Sequence, residues 1–128
     1  MKDQLQLTSK AFPAAAANND STAIDLGLVA GGGFGNAARI VIRVPATAAL
    51  VSTKKITFTL YDSANNSSFA LVETISELII TGGASGGAAT VWEIPFPQTI
   101  RRYLRCNAAV ESGGGDNTAV SYTLGVEI

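Results

Sequence analysis

The sequence predicts an all-β fold, a sandwich or barrel formed as a single domain over residues 1–128. Three observations carry that prediction. Short runs rich in Val, Ile, Thr, Phe and Tyr recur along the chain, separated by clusters of Gly, Asn, Ser and Pro. Several runs alternate apolar and polar residues with the two-residue period of a strand whose faces meet different surroundings. Helix-forming sequence is scarce, and neither an internal repeat nor a linker divides the chain.

Gln4–Leu7 reads as the first strand. Ala14-Ala15-Ala16-Ala17 has high helix propensity but lies between Pro13 and Asn18-Asn19-Asp20, which leaves room for about one helical turn. Asn18 to Ser21 reads as a turn, Thr22–Val29 as a strand, and Gly31-Gly32-Gly33 as the loop after it. Ala38–Val44 places Ile40, Ile42 and Val44 on one face and Arg39, Val41 and Arg43 on the other. Lys55–Tyr61 alternates Ile56, Phe58 and Leu60 with Lys55, Thr57, Thr59 and Tyr61. Asp62 ends this strand before a turn over Ser63 to Ser68, where its carboxylate is expected to make Asx-type turn bonds.

Phe69–Thr74 and Glu77–Thr81 follow as strands. A helical turn over Val72 to Leu78 is opposed by Thr74, Ile75, Ile79 and Ile80, whose branched side chains favour extended structure. The glycine-rich loop Gly82 to Gly87 leads to Ala89–Ile94, which carries Trp92; alternation leaves the exposure of that indole open. Tyr103–Val110 puts Cys106 on one face with Leu104 and Ala108, which predicts a buried, inert thiol. After Gly113 to Asn117, Ala119–Glu127 alternates Val120, Tyr122, Leu124 and Val126 with Ser121, Thr123, Gly125 and Glu127.

Composition narrows the function. Apolar residues make up 47% of the chain and charged residues 15%, against roughly 25% in ordinary soluble domains. Such a surface is either a neutral Gly/Ala/Ser/Thr exterior or one partly covered by partners. The net charge of −1 gives no electrostatic footprint for nucleic acid. Apolar runs fall far short of the roughly 18 residues a membrane helix needs. The opening residues, Met1 to Leu7, contain an acid and no apolar stretch, unlike a secretory signal. One cysteine excludes an intrachain disulfide framework and fits assembly in a reducing cytoplasm.

Catalytic chemistry finds little to work with. The absence of histidine removes the Ser-His-Asp and Cys-His constellations and the commonest transition-metal ligand. Gly33-Phe34-Gly35-Asn36-Ala37-Ala38 matches a weakened dinucleotide fingerprint, but a strand pattern follows it and no acid stands about 20 residues on. Glu73 and Glu77 lie four apart in a β-leaning stretch, and a calcium site at Asp62 lacks neighbouring acids. No catalytic residue, metal or cofactor is therefore expected.

The conspicuous cluster is Arg101-Arg102-Tyr103-Leu104-Arg105. On a strand, Arg101, Tyr103 and Arg105 share the face opposite Leu104 and Cys106, and Arg39 and Arg43 repeat the pattern earlier. Arginine and tyrosine recur at protein–protein hot spots, which makes these five the candidate contact residues; a solvated sheet face is the plainer reading.

Several segments in order resemble a known family: Asp3-Gln4-Leu5-Gln6-Leu7, Ala23-Ile24-Asp25-Leu26-Gly27, Ile56-Thr57-Phe58-Thr59-Leu60-Tyr61-Asp62, Ile94-Pro95-Phe96-Pro97 and Arg102-Tyr103-Leu104-Arg105, then a C-terminal strand. The set is similar to the small capsid cement (decoration) proteins of tailed bacteriophages, in the group related to the cement protein of a Bordetella podophage. That resemblance implies a jelly-roll-like antiparallel β-sandwich of about eight strands. It implies a homo-oligomer, dimer or trimer, on the outer surface of the virion capsid, bridging neighbouring major capsid protein subunits. It brings no catalytic residues. The competing reading is a carbohydrate- or receptor-binding β-sandwich of a virion fibre or adhesin, with Trp92 or a tyrosine as stacking platform.

Overall fold

The computed structural model describes residues 4–26, 39–97 and 99–127. They form ten strands: β1 (Gln4–Ala11), β2 (Asn18–Asp20), β3 (Ile24–Asp25), β4 (Arg39–Val44), β5 (Lys55–Ser63), β6 (Ala70–Leu71), β7 (Leu78–Thr81), β8 (Thr90–Pro95), β9 (Tyr103–Val110) and β10 (Ser121–Glu127). One sheet has the order β1-β10-β4-β8. The other runs β2-β9-β5-β6, with β3 beside β2 on the same flank of β9 and β7 beside β6 on the same flank of β5. Every pairing is antiparallel. The second sheet thus has two broken outer strands, a device that shortens any continuous edge open to foreign strands.

The core lies between the sheets and follows the two-residue period. Ile40, Ile42 and Val44 from β4, together with Tyr122, Leu124 and Val126 from β10, meet Ile56, Phe58 and Leu60 from β5 and Leu104, Cys106, Ala108 and Val110 from β9. Phe12, Phe58 and Tyr122 cluster at centroid distances of 5.2–5.8 Å, in edge or tilted contacts that suit the ring quadrupoles. Trp92 joins from β8, its ring 5.4 Å from Phe58 and half-buried against the core.

Asn18 to Asp20, expected as a turn, is a strand. Its pairing to residues 107–109 is reinforced by the Asn107 amide, which donates to Asn18 Oδ1 at 3.1 Å and Asp20 Oδ1 at 2.9 Å. Ser21 carries the edge onward: its N–H donates to Cys106 O at 2.8 Å, and its Oγ accepts from Cys106 N at 3.0 Å. Of the strand expected over Thr22–Val29, the described residues form strand at Ile24–Asp25, and its last three positions lie outside the described residues. Phe69–Thr74 shrinks to Ala70–Leu71 because a turn closed by Ile75 N–H to Val72 O at 3.2 Å interrupts it. Ala14 to Ala17 forms a β-turn, not a helical one, with Ala16 at φ 64°.

The glycine-rich loops press against residues 47–51 at one end of the sandwich. Thr47 and Gly87 exchange two backbone bonds of 2.9 Å, Thr53 N–H reaches Gly82 O at 2.9 Å, and Val51 N–H reaches Gly114 O at 3.2 Å. A methyl on Gly86 or Gly115 would sit 2.3 Å from a backbone carbonyl oxygen, of Thr47 and Ala49 respectively, and both glycines hold φ of +86°. These loops need glycine to let three connections pack backbone to backbone. The Gly31–Gly35 loop and the fingerprint-like residues 33–38 lie outside the described residues.

Candidate protein–protein interface

Because Leu104, Cys106, Ala108 and Val110 fill the core, their alternates Tyr103, Arg105, Asn107 and Ala109 face outward. The register sets Tyr61 of β5 beside Arg105, Thr59 beside Asn107 and Thr57 beside Ala109. On the far flank, Leu71 lies next to Tyr61 and Ile79 next to Thr57. Leu71 is 50% exposed and Ile79 48%, so this face carries large apolar groups in open solvent among tyrosines and arginines. That is the composition of a protein-binding surface.

The arginines are already engaged. Arg105 stacks on Phe69, its guanidinium carbon 3.9 Å from the ring centroid, and its Nη2 lies 3.5 Å from Asp20 Oδ2. Arg102 forks onto Asp25 with bonds of 2.8 and 3.0 Å and covers the Tyr103 ring at 5.2 Å. Arg101 stands just before β9, not on it, and clasps Asp62: Nε and Nη2 donate to Oδ1 at 2.9 and 2.8 Å, and the backbone N–H donates to Oδ2 at 3.0 Å. Asp62 is 7% exposed and is taken up by this clasp. The Asx-type turn bonds expected of it are made by Asn65, whose Oδ1 accepts from Ser67 N and Ser68 N at 3.0 Å each.

The five sequence-predicted residues do not form one surface. Arg101, Tyr103 and Arg105 belong to the β9 sheet, whereas Arg39 and Arg43 lie on the outer face of β4, in the opposite sheet. Arg43 bonds Glu127 at 2.7 and 3.3 Å, reaching along β10 past Gly125, which has no side chain in the way. Val41, expected on the wetter face between these arginines, is 1% exposed. Leu71 and Phe69 escaped the sequence reading because nothing in a two-residue strand or the residue before it says which side faces out, and Ile79 because the run Leu78-Ile79-Ile80 is apolar at every position and shows no alternation.

Other chemistry is sparse among the described residues. No group of three or more His, Cys, Asp or Glu is placed to hold a metal ion, and no helix is long and apolar enough to cross a membrane. Cys106 is fully buried with Leu104 and Ala108, as its spacing predicted, and burial pushes its thiol up to about 12, with Asp20 adding to the effect. The half-buried Trp92 makes an edge contact with Phe58 and packs against the core.

Comparison with curated proteins gives no match. Comparison with family models gives one over residues 7–126, a span that takes in the whole of β2 to β9, β1 from Leu7 onward and β10 up to Val126. The model is that of Bbp16, a family named for a Bordetella podophage protein. The chain therefore belongs to the Bbp16 family, which links it to the structural proteins of phages.

Proposed function

We propose that this chain is a capsid cement protein, which binds the outer surface of the phage head and bridges adjacent major capsid protein subunits. The observation that carries the reading is the membership of the Bbp16 family, together with a two-sheet β-sandwich whose outer β9 face combines exposed aliphatic groups with pinned arginines. Merging β2 with β3 and β6 with β7 leaves eight strand positions in two sheets of four. That order supports a jelly-roll reading of one domain. The protein works as a rigid clamp with no catalytic step, no cofactor, and neither nucleic acid nor membrane as its partner. It acts as a homo-oligomer, so that weak contacts repeated over the lattice multiply.

Intrachain ion pairs hold Arg101, Arg102 and Arg105 in place before any partner arrives, so docking costs little side-chain entropy. The expected source of affinity is burial of Leu71, Ile79, Tyr61 and Tyr103, with the arginines giving orientation. The test is co-sedimentation with purified shells of the parent phage. Wild-type protein is expected to pellet with mature shells and not to bind isolated capsid monomers. Leu71→Ser with Tyr103→Ala should lose roughly tenfold or more in affinity, from two truncated anchors. Absence of wild-type binding to shells overturns the cement reading; equal binding by the variant overturns the choice of face.

A further inference from the structure

Beside β8 the two sheets part. A groove of about 460 Å³ runs there, lined by Thr74, Ile75, Ser76 and Leu78 on one side and residues 94–97 on the other. Among the described residues β8 pairs on one side with β4 and is the last strand of its sheet. Its free side therefore offers the backbone N–H and C=O groups of alternate residues to the groove. Trp92 and Ile94 point toward the core from this strand, and Ile75, Leu78 and Phe96 are partly buried against the same core. The wall opposite β8 comes from the broken outer flank of the other sheet, so among the described residues no long strand fills the space.

Two carboxylates flank the outer wall of the groove, and Arg101 lies beyond Glu73 in the adjoining cavity, where it is held by Asp62. Glu73 and Glu77 are exposed on either side of the lining residues 74–76. No Lys or Arg occurs in residues 73–78 or 90–97. From a strand edge that no described residue pairs, the apolar floor and the carboxylates Glu73 and Glu77, we propose that the groove takes an extended segment of a partner protein. That segment adds antiparallel to β8, sets apolar side chains at alternate positions into the groove, and carries Lys or Arg at its flanks. Pro95 and Pro97 have no N–H to donate, so the ladder runs along residues 90–94 and the segment enters the groove only past Ile94, which makes the site a short one. The site is separate from the β9 face and does not depend on which face meets the shell.

The probe is the synthetic peptide Lys-Lys-Val-Thr-Val-Thr-Val-Lys-Lys, added to the full-length protein while the emission of Trp92, the only tryptophan, is followed. Two control peptides keep the same core: one replaces every Lys with Glu, and one carries N-methyl groups on alternate backbone amides. A saturable change in emission is expected with the basic peptide alone, weakening as salt rises. Glu73→Lys with Glu77→Lys should weaken it roughly five- to tenfold, since two exposed charges are reversed. Ser76→Phe, at an exposed position, should block the groove without touching the core. No binding of the basic peptide, or equal binding of the N-methylated one, overturns strand addition. Equal binding of the acidic peptide overturns the assigned charge, and full binding by Ser76→Phe overturns the location.

Discussion

Replacing Gly86 by alanine tests whether the glycine loops are packed structure or slack chain. Gly86 has φ of +86°, where an L side chain costs roughly 1–2 kcal/mol. A Cβ there would lie 2.3 Å from Thr47 O and 2.7 Å from both Ala48 Cα and Ala48 O, all backbone atoms that move only if the loop moves. Such movement strains the Thr47–Gly87 pair of 2.9 Å bonds, each worth about 1 kcal/mol. The summed cost is about 3 kcal/mol, which for a chain of this size lowers the Tm by roughly 10–15 °C. Gly83, in the same loop, is the control: its added Cβ meets nothing nearer than Gly86 O at 3.7 Å, so Gly83→Ala should stay within about 0.5 kcal/mol of wild type. Chemical denaturation with a shared m-value, beside a thermal melt, measures both. Equal and small effects would refute the packing argument and leave the loop as mere spacer.

Two more outcomes follow from the buried groups. Native Cys106 should resist a water-soluble thiol reagent until denaturant is added, and stability should fall as pH climbs from about 9 to about 12. Across that window the unfolded thiol has released its proton while the folded one retains it; the native state binds more protons, so ΔG of unfolding decreases with pH, and Cys106→Ala should flatten that slope in pH-dependent denaturant midpoints. Arg101→Ala should cost about 2–3 kcal/mol, because it strands a carboxylate that is 7% exposed, whereas Asp62→Ala should cost about 1–2 kcal/mol, because the freed guanidinium can turn to water. The double variant should fall well short of the sum; additive costs in the same denaturation assay would mean that the clasp carries no coupling.

Strand sequences with a strict two-residue period were legible. Tyr103–Val110 occurs with the boundaries expected from its alternation, and the inward residues of β4, β5 and β10 follow theirs, although Val41, Gly125 and Glu127 on the other face of the first sheet are buried as well. What escaped is non-local. Asn18-Asn19-Asp20 has the composition of a turn, and becomes a strand only because Asn107, far along the chain, offers an amide between its side chains. The carboxylate partners of Arg43, Arg101 and Arg102 lie 84, 39 and 77 residues away. A cluster of arginines therefore read as charge available to a partner, although its members were already held at home. The separation of the five candidates onto two sheets depends on strand order, which no spacing within a single strand encodes.

The strand order also governs when this chain can fold. β10 lies between β1 and β4, and β9 is the bridge from β2 and β3 to β5. Until residues 103–127 leave the ribosome, each sheet exists as two fragments with a gap where its central strand belongs. The early strands emerge with apolar faces such as Ile40–Ile42 and Ile56–Phe58 but without the neighbour that completes their ladder. Pairing across so much sequence is entropically slow. The segment 103–127 is thus the latch of the fold: shortening it should give insoluble protein, not a smaller folded one, and folding should await the emergence of β9 and β10.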